Sequence, residues 1–150
     1  MVILSKGEKN MDIKKILVAV DGSEHSMRAA EYAVNLAKLM DAEIILVHCH
    51  KHYPALLGEP YFQKAIDRIN NDAQQLMEPY VELLNEKGVS HTDRILDGSP
   101  AEMISDAAKA EKIDMIVMGS RGLNDLEGLL LGSVTHRVLK TASCPVLVIR

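Results

Sequence analysis

The chain has no tryptophan, a single phenylalanine (Phe62) and only 3% aromatic residues overall, so whatever core it builds is aliphatic. It also lacks an excess of positive charge. With 25% charged residues and a formal net charge of −4, it has no general electrostatic pull toward nucleic acid or an anionic membrane, both of which require clustered Lys and Arg. No apolar run reaches the roughly 18 residues that span a bilayer. Residues 1–10 are too polar for the apolar centre of a signal peptide, so a cytoplasmic location is expected. Cysteine is sparse as well. Cys49 and Cys144 lie far apart without a Cys-x-x-Cys pair, and read as small apolar strand residues rather than as a disulfide or zinc site.

Three catalytic templates are missing. There is no Gly-x-x-x-x-Gly-Lys-Ser/Thr, and hence no P-loop lysine to neutralise charge on a transferring phosphoryl group. No Gly-x-Gly-x-x-Gly follows the first apolar run, which weakens a dinucleotide reading. Ser133 stands in Leu-Gly-Ser-Val rather than Gly-x-Ser-x-Gly, so a hydrolase elbow is unsupported.

What the chain does have is alternation. At 150 residues it fits one domain. Residues 16–20 form a continuous apolar run, the pattern of a strand buried on both faces of a parallel sheet. Ser23 caps an expected helix over 24–40, with an apolar stripe through Met27, Ala30, Ala33, Val34 and Ala37. A second strand is expected over 44–48, a loop marked by Pro54, Gly58 and Pro60, and a long amphipathic helix over 62–86 that Pro79 kinks and Gly88 ends. A third strand over 89–96 precedes Ser99 and Pro100, a cap followed by proline in the first helical position, and a helix over 101–112. Strand four is expected over 115–118, helix four over 133–142 and strand five over 145–149. Residues 1–12 show no periodicity and read as a frayed extension, with Met11 an alternative start. Strands alternating with helices imply right-handed crossovers and an α/β fold with a doubly wound parallel sheet.

The densest chemical signal follows the fourth strand. Gly119, Gly122, Gly132 and Ser133 are spaced as Gly-x2-Gly-x9-Gly-Ser. Glycines let backbone N–H groups approach a phosphate with no Cβ in the way, and the N-terminus of a helix starting at Ser133 favours anions. Ser133 and Thr135 add hydroxyls. The competing reading is that these glycines merely end a strand and start a helix. Asp21, just past strand one, reads either as the holder of a local Asx turn or as a ligand to ribose hydroxyls or a metal ion. Arg121 and Arg137 reach phosphates or simply face water. Asp125 and Glu127 repel bare phosphates unless they face water or help to hold Mg²⁺. His48, His50 and His52 alternate, which places them on one face if the strand persists and allows a zinc site; Pro54 argues that the strand has ended by His50.

The spacing resembles the ATP-binding signature of the universal stress protein family. The resemblance extends to residues 15–23 as opening strand and turn, 46–48 as second strand and 144–150 as closing strand, covering about 13–150. It implies a single-domain sheet of five parallel strands in the order 3-2-1-4-5, Rossmann-like, with its crevice at the carboxyl ends of strands one and four. It further implies a cytoplasmic module that binds ATP with Mg²⁺, with slow hydrolysis or none. Its contacts would be Ala19, Asp21, Cys49, Met118, Gly119, Arg121, Gly122, Gly132, Ser133, Val134 and Thr135. Ala19 and Cys49 fall where the family meets adenine, Cys49 standing where valine is common.

The resemblance also implies a homodimer, and the residues agree. The closing strand has no Lys or Gly to protect its edge, so two copies are expected to pair antiparallel through residues 145–150. A regulatory protein partner is expected without an identity. Two alternatives stay open: a dimeric interaction protein with an empty pocket, and a true ATPase or nucleotidyl transferase.

Overall fold

The structure, a computed structural model, describes residues 2–3, 12–123, 128 and 130–150. Strands β1 (Val2–Ile3), β2 (Lys15–Ala19), β3 (Glu43–His50), β4 (His91–Asp97), β5 (Met115–Gly119) and β6 (Val146–Ile149) form one sheet in the order β1-β6-β5-β2-β3-β4. Helices α1 (Glu24–Met40), α2 (Tyr61–Glu86), α3 (Pro100–Ala110) and α4 (Ser133–Thr141) connect them. From β2 to β6 every pairing is parallel, which gives the five-stranded order 3-2-1-4-5.

Each central strand splits its apolar run between two cores, because successive side chains point to opposite faces. Ile16, Val18, Ile44, Leu46 and Val117 pack against α1 and α2, while Leu17, Ala19, Ile45, Val47, Ile116 and Met118 pack against α3 and α4. Each fully buried Leu or Ile contributes about 1.5–3 kcal/mol. The α1 stripe is mostly alanine (Ala29, Ala30, Ala33, Ala37), which lets this helix ride close on the sheet. Its start follows the capping logic: Ser23 is extended, and its Oγ accepts from the Ser26 N–H at 3.1 Å. Ser99 occupies the cap position of α3 with Pro100 behind it, but its side chain makes no capping hydrogen bond. Pro79 lies inside α2.

Two expectations change. The second strand persists through His50, two residues beyond the reading from sequence, because β3 keeps pairing with β4 up to His50 opposite Asp97. The edge of the closing strand, expected to lie unpaired, is occupied in part: Val2 pairs with Leu147 and Ile3 with Val146, antiparallel, so two residues of the expected frayed extension form a sixth strand. The physical reason is the one that made the edge look adhesive, a row of unmet backbone groups, here met by the chain's own residues. No helix among the described residues is long and apolar enough to cross a membrane.

Candidate functional site

Because the crossover helices leave β2 and β5 on opposite faces, a crevice opens where these neighbouring strands end. A cavity of about 360 Å³ sits there. Of the eleven residues singled out from sequence, ten line it: Ala19, Asp21, Cys49, Met118, Gly119, Arg121, Gly122, Ser133, Val134 and Thr135. The exception is Gly132. It takes the N-cap position of α4, and its N–H donates to the Ser120 carbonyl at 2.7 Å, tying the second glycine turn to the first.

The walls divide by chemistry. Ala19, Val47, Cys49, Met118 and Ile104 give an apolar side that suits a planar ring, with burial raising the Cys49 thiol to about 11 and keeping it neutral. At the other side, α4 begins. The N–H groups of Ser133, Val134 and Thr135 occupy its first turn and have no intrahelical acceptor, so they and the helix dipole face the crevice as donors for an anion. Arg121 adds a formal positive charge. Thr135 is buried and its hydroxyl donates to the Gly119 carbonyl at 2.8 Å, so it also fixes α4 to the end of β5.

Asp21 takes its Asx-turn role and more. Its Oδ1 accepts the Ser23 N–H at 3.0 Å and its Oδ2 the Leu123 N–H at 3.2 Å, which links the turn after β2 to the glycine turn after β5. Gly119 is required for packing: a Cβ there would lie 2.8 Å from the His25 backbone carbon and Cβ. Close approach of α1, in addition to any ligand, explains that glycine. His25 has its imidazole pKa lowered, first by desolvation and then by Arg28 and Arg121.

The three histidines do not share one site: His50 and His52 both approach Asp97 Oδ1, His50 at 3.9 Å, while His48 turns to the backbone. His48 donates from Nδ1 to the Val20 carbonyl at 2.9 Å, His50 Nδ1 lies 2.7 Å from the Lys51 carbonyl, and His52 Nδ1 lies 3.1 Å from Asp97 Oδ1. No group of three or more His, Cys, Asp or Glu that could hold a metal exists among the described residues. Arg137 is exposed on α4 and does not line the cavity. Asp125 and Glu127 lie outside the described residues.

Reading the sequence missed Val20, Ser26, Val47, His48, Leu76, Pro100, Ile104 and Leu123 in the lining. Val20, Val47 and His48 adjoin residues already chosen, and strand register alone could have added them. Leu76 and Ile104 arrive from helices distant in sequence, with no local signal.

A doubly wound parallel sheet with a crevice where the strand order reverses defines a Rossmann-like α/β domain. The chain belongs to the universal stress protein family, whose pattern residues 12–150 match. A universal stress protein of Thermus aquaticus is 42% identical over 138 residues, covering 91% of this chain and 98% of the relative. Among solved structures, the universal stress protein UspA from Lactobacillus plantarum superposes with a TM-score of 0.82 at 28% identity, covering 92% of this chain and 98% of that one. A universal stress protein family member from Arabidopsis thaliana with AMP bound superposes with a TM-score of 0.64 at 26% identity, covering 91% and 90%.

Proposed function

We propose that the crevice binds an adenine nucleotide, ATP with Mg²⁺, and that the protein is a cytoplasmic, nucleotide-responsive stress module acting on a regulatory partner. The observation that carries this reading is the meeting, in one cavity, of the first glycine turn (Gly119 and Gly122), the start of α4 from Ser133, Asp21 and an apolar slot. Adenine would lie against Ala19, Cys49 and Met118, and the phosphates against the first turn of α4 with Arg121. The Arabidopsis relative holds AMP, which supports the adenine part of the assignment.

The residues fit a phosphate-borne Mg²⁺ rather than a cage built by the protein: Asp21 is the one carboxylate lining the crevice among the described residues, and Mg²⁺ commonly takes one or two carboxylates plus phosphate oxygens. The basic side chains lining the cavity are Arg121 and His48, and His48 spends its Nδ1 proton on Val20. With no lysine and no base besides Asp21 and His48 among the described lining residues, hydrolysis is slow or absent. The homodimer through residues 145–150 belongs to the same proposal, with the amendment that a second copy must displace β1 from Val146 and Leu147.

The assignment is tested by calorimetric titration of ATP and AMP, with and without Mg²⁺, into the wild type and Gly132→Val. A side chain at the N-cap crowds the amides that would meet phosphate oxygens, so the folded variant is expected to lose binding. Equal affinity in both proteins would overturn the assignment.

A further inference from the structure

Tyr80 is the largest fully buried side chain among the described residues, at 1% exposure, yet its hydroxyl meets polar atoms of the turn after β2. It lies 3.1 Å from the Gly22 nitrogen and 2.6 Å from Ser26 Oγ. The direction of these bonds follows from counting protons. Ser26 has one hydroxyl proton, and it is directed at the Ser23 carbonyl at 2.9 Å. The Tyr80 O–H therefore donates to Ser26 Oγ and accepts the Gly22 N–H. Ser26 Oγ in turn accepts the Asp21 N–H at 3.4 Å.

The backbone is thus pinned at Asp21 and at Gly22 by two hydroxyls, one bonded to the other. Gly22 has a φ of +84°, and a Cβ there would meet Leu76 Cδ1 at 3.3 Å, so α2 also packs directly under this turn. The carboxylate so presented reaches the Leu123 N–H across the crevice mouth.

We propose that Tyr80, which does not line the cavity, is a positioning residue of the site: through Gly22 and Ser26 it fixes the orientation of the Asp21 carboxylate, and thereby the affinity of the crevice for the ribose end of an adenine nucleotide. The ligand part rests on the nucleotide reading above; the positioning of Asp21 does not. A helix that joins the sheet from the opposite face thereby sets the geometry of a carboxylate at the glycine turn.

The test uses the full chain as wild type, Tyr80→Phe, Asp21→Asn, the double variant, and Leu84→Val as a control that loosens α2 without touching the turn. Two readouts are taken: exchange of the Leu123 amide proton in ligand-free protein by NMR, and AMP affinity by calorimetry. Tyr80→Phe is expected to speed Leu123 exchange about tenfold and to weaken AMP about tenfold, because it removes both the acceptor of the Gly22 N–H and the donor to Ser26 Oγ and so releases the turn. Both effects vanish in the Asp21→Asn background, and Leu84→Val shows neither. Unchanged Leu123 exchange in Tyr80→Phe, an effect that adds fully to Asp21→Asn, or an equal effect in Leu84→Val would overturn the proposal. Should no variant and no wild type bind AMP while Leu123 exchange behaves as stated, the nucleotide reading fails, and with it the affinity role, whereas the positioning of Asp21 stands.

Discussion

Gly119 illustrates how one residue can answer to two demands. Its place at the end of β5 suits a phosphate, and its lack of a Cβ lets the first turn of α1 sit 2.8 Å from where that atom would be. Gly119→Ala is therefore expected to lose about 1–3 kcal/mol through overpacking, read as a lower urea midpoint with an unchanged slope. An unshifted midpoint would show that α1 yields freely. Cys49 makes a prediction of different sign. Burial raises its thiol from 9.0 to about 11, so the folded state holds its proton more tightly than the unfolded chain. That contribution is complete below pH 9 and is lost as pH rises through about 11, so stability falls across that window and falls less in Cys49→Ala. The same burial keeps the thiol protonated at neutral pH, and Cys49 should react with iodoacetamide far more slowly than a free thiol. His25 works in the acid direction: with its pKa lowered in the folded state, it costs stability as pH falls below 6.5, an effect that His25→Asn should remove. At this scale the sequence exposed Asp21 and the glycines, because turns and caps are local chemistry. Tyr80 stayed hidden, since nothing within a few residues of it hints at Gly22, 58 positions away.

Among elements, α1 was legible to the residue because cap, alanine stripe and period all agree over 24–40. The end of β3 was not. Pro54 suggested an early stop, whereas pairing with β4 carries the strand on to His50, a tertiary contact overriding a local breaker. Strand β1 is shorter still, two residues with no periodicity to read, and it exists because β6 offers it partners. That pairing bears on assembly. Removing residues 1–11 exposes Val146 and Leu147, so the truncated chain is expected to dimerise more strongly than the full chain in sedimentation equilibrium. Val148→Pro removes an edge donor and should return it to monomer. Identical association of the long and short chains would show that β1 does not compete for this edge.

On the scale of the whole molecule, the order of strands decides where ligands go, and that order was readable because each helix and strand announces its period while crossover handedness leaves few topologies. The depth of the crevice was not readable, since Leu76 and Ile104 reach it from helices whose placement only the packed fold determines. On the proposed reading phosphates meet amides with no lysine among the described lining residues, so the ATPase rate is expected to fall far below the enzyme median of about 10 s⁻¹. Multiple-turnover phosphate release near that median would reveal a catalytic group outside the described residues. The central claim, an adenine nucleotide in the crevice, is tested most directly by titrating ATP with Mg²⁺, and separately AMP, into ¹⁵N-labelled protein and following every backbone amide. The account predicts saturable shifts concentrated at Val20, Asp21, Cys49, Gly119 and the first turn of α4 from Ser133 to Thr135. Spectra that do not move at millimolar nucleotide, or shifts centred on the far face between α2 and β4, would contradict it.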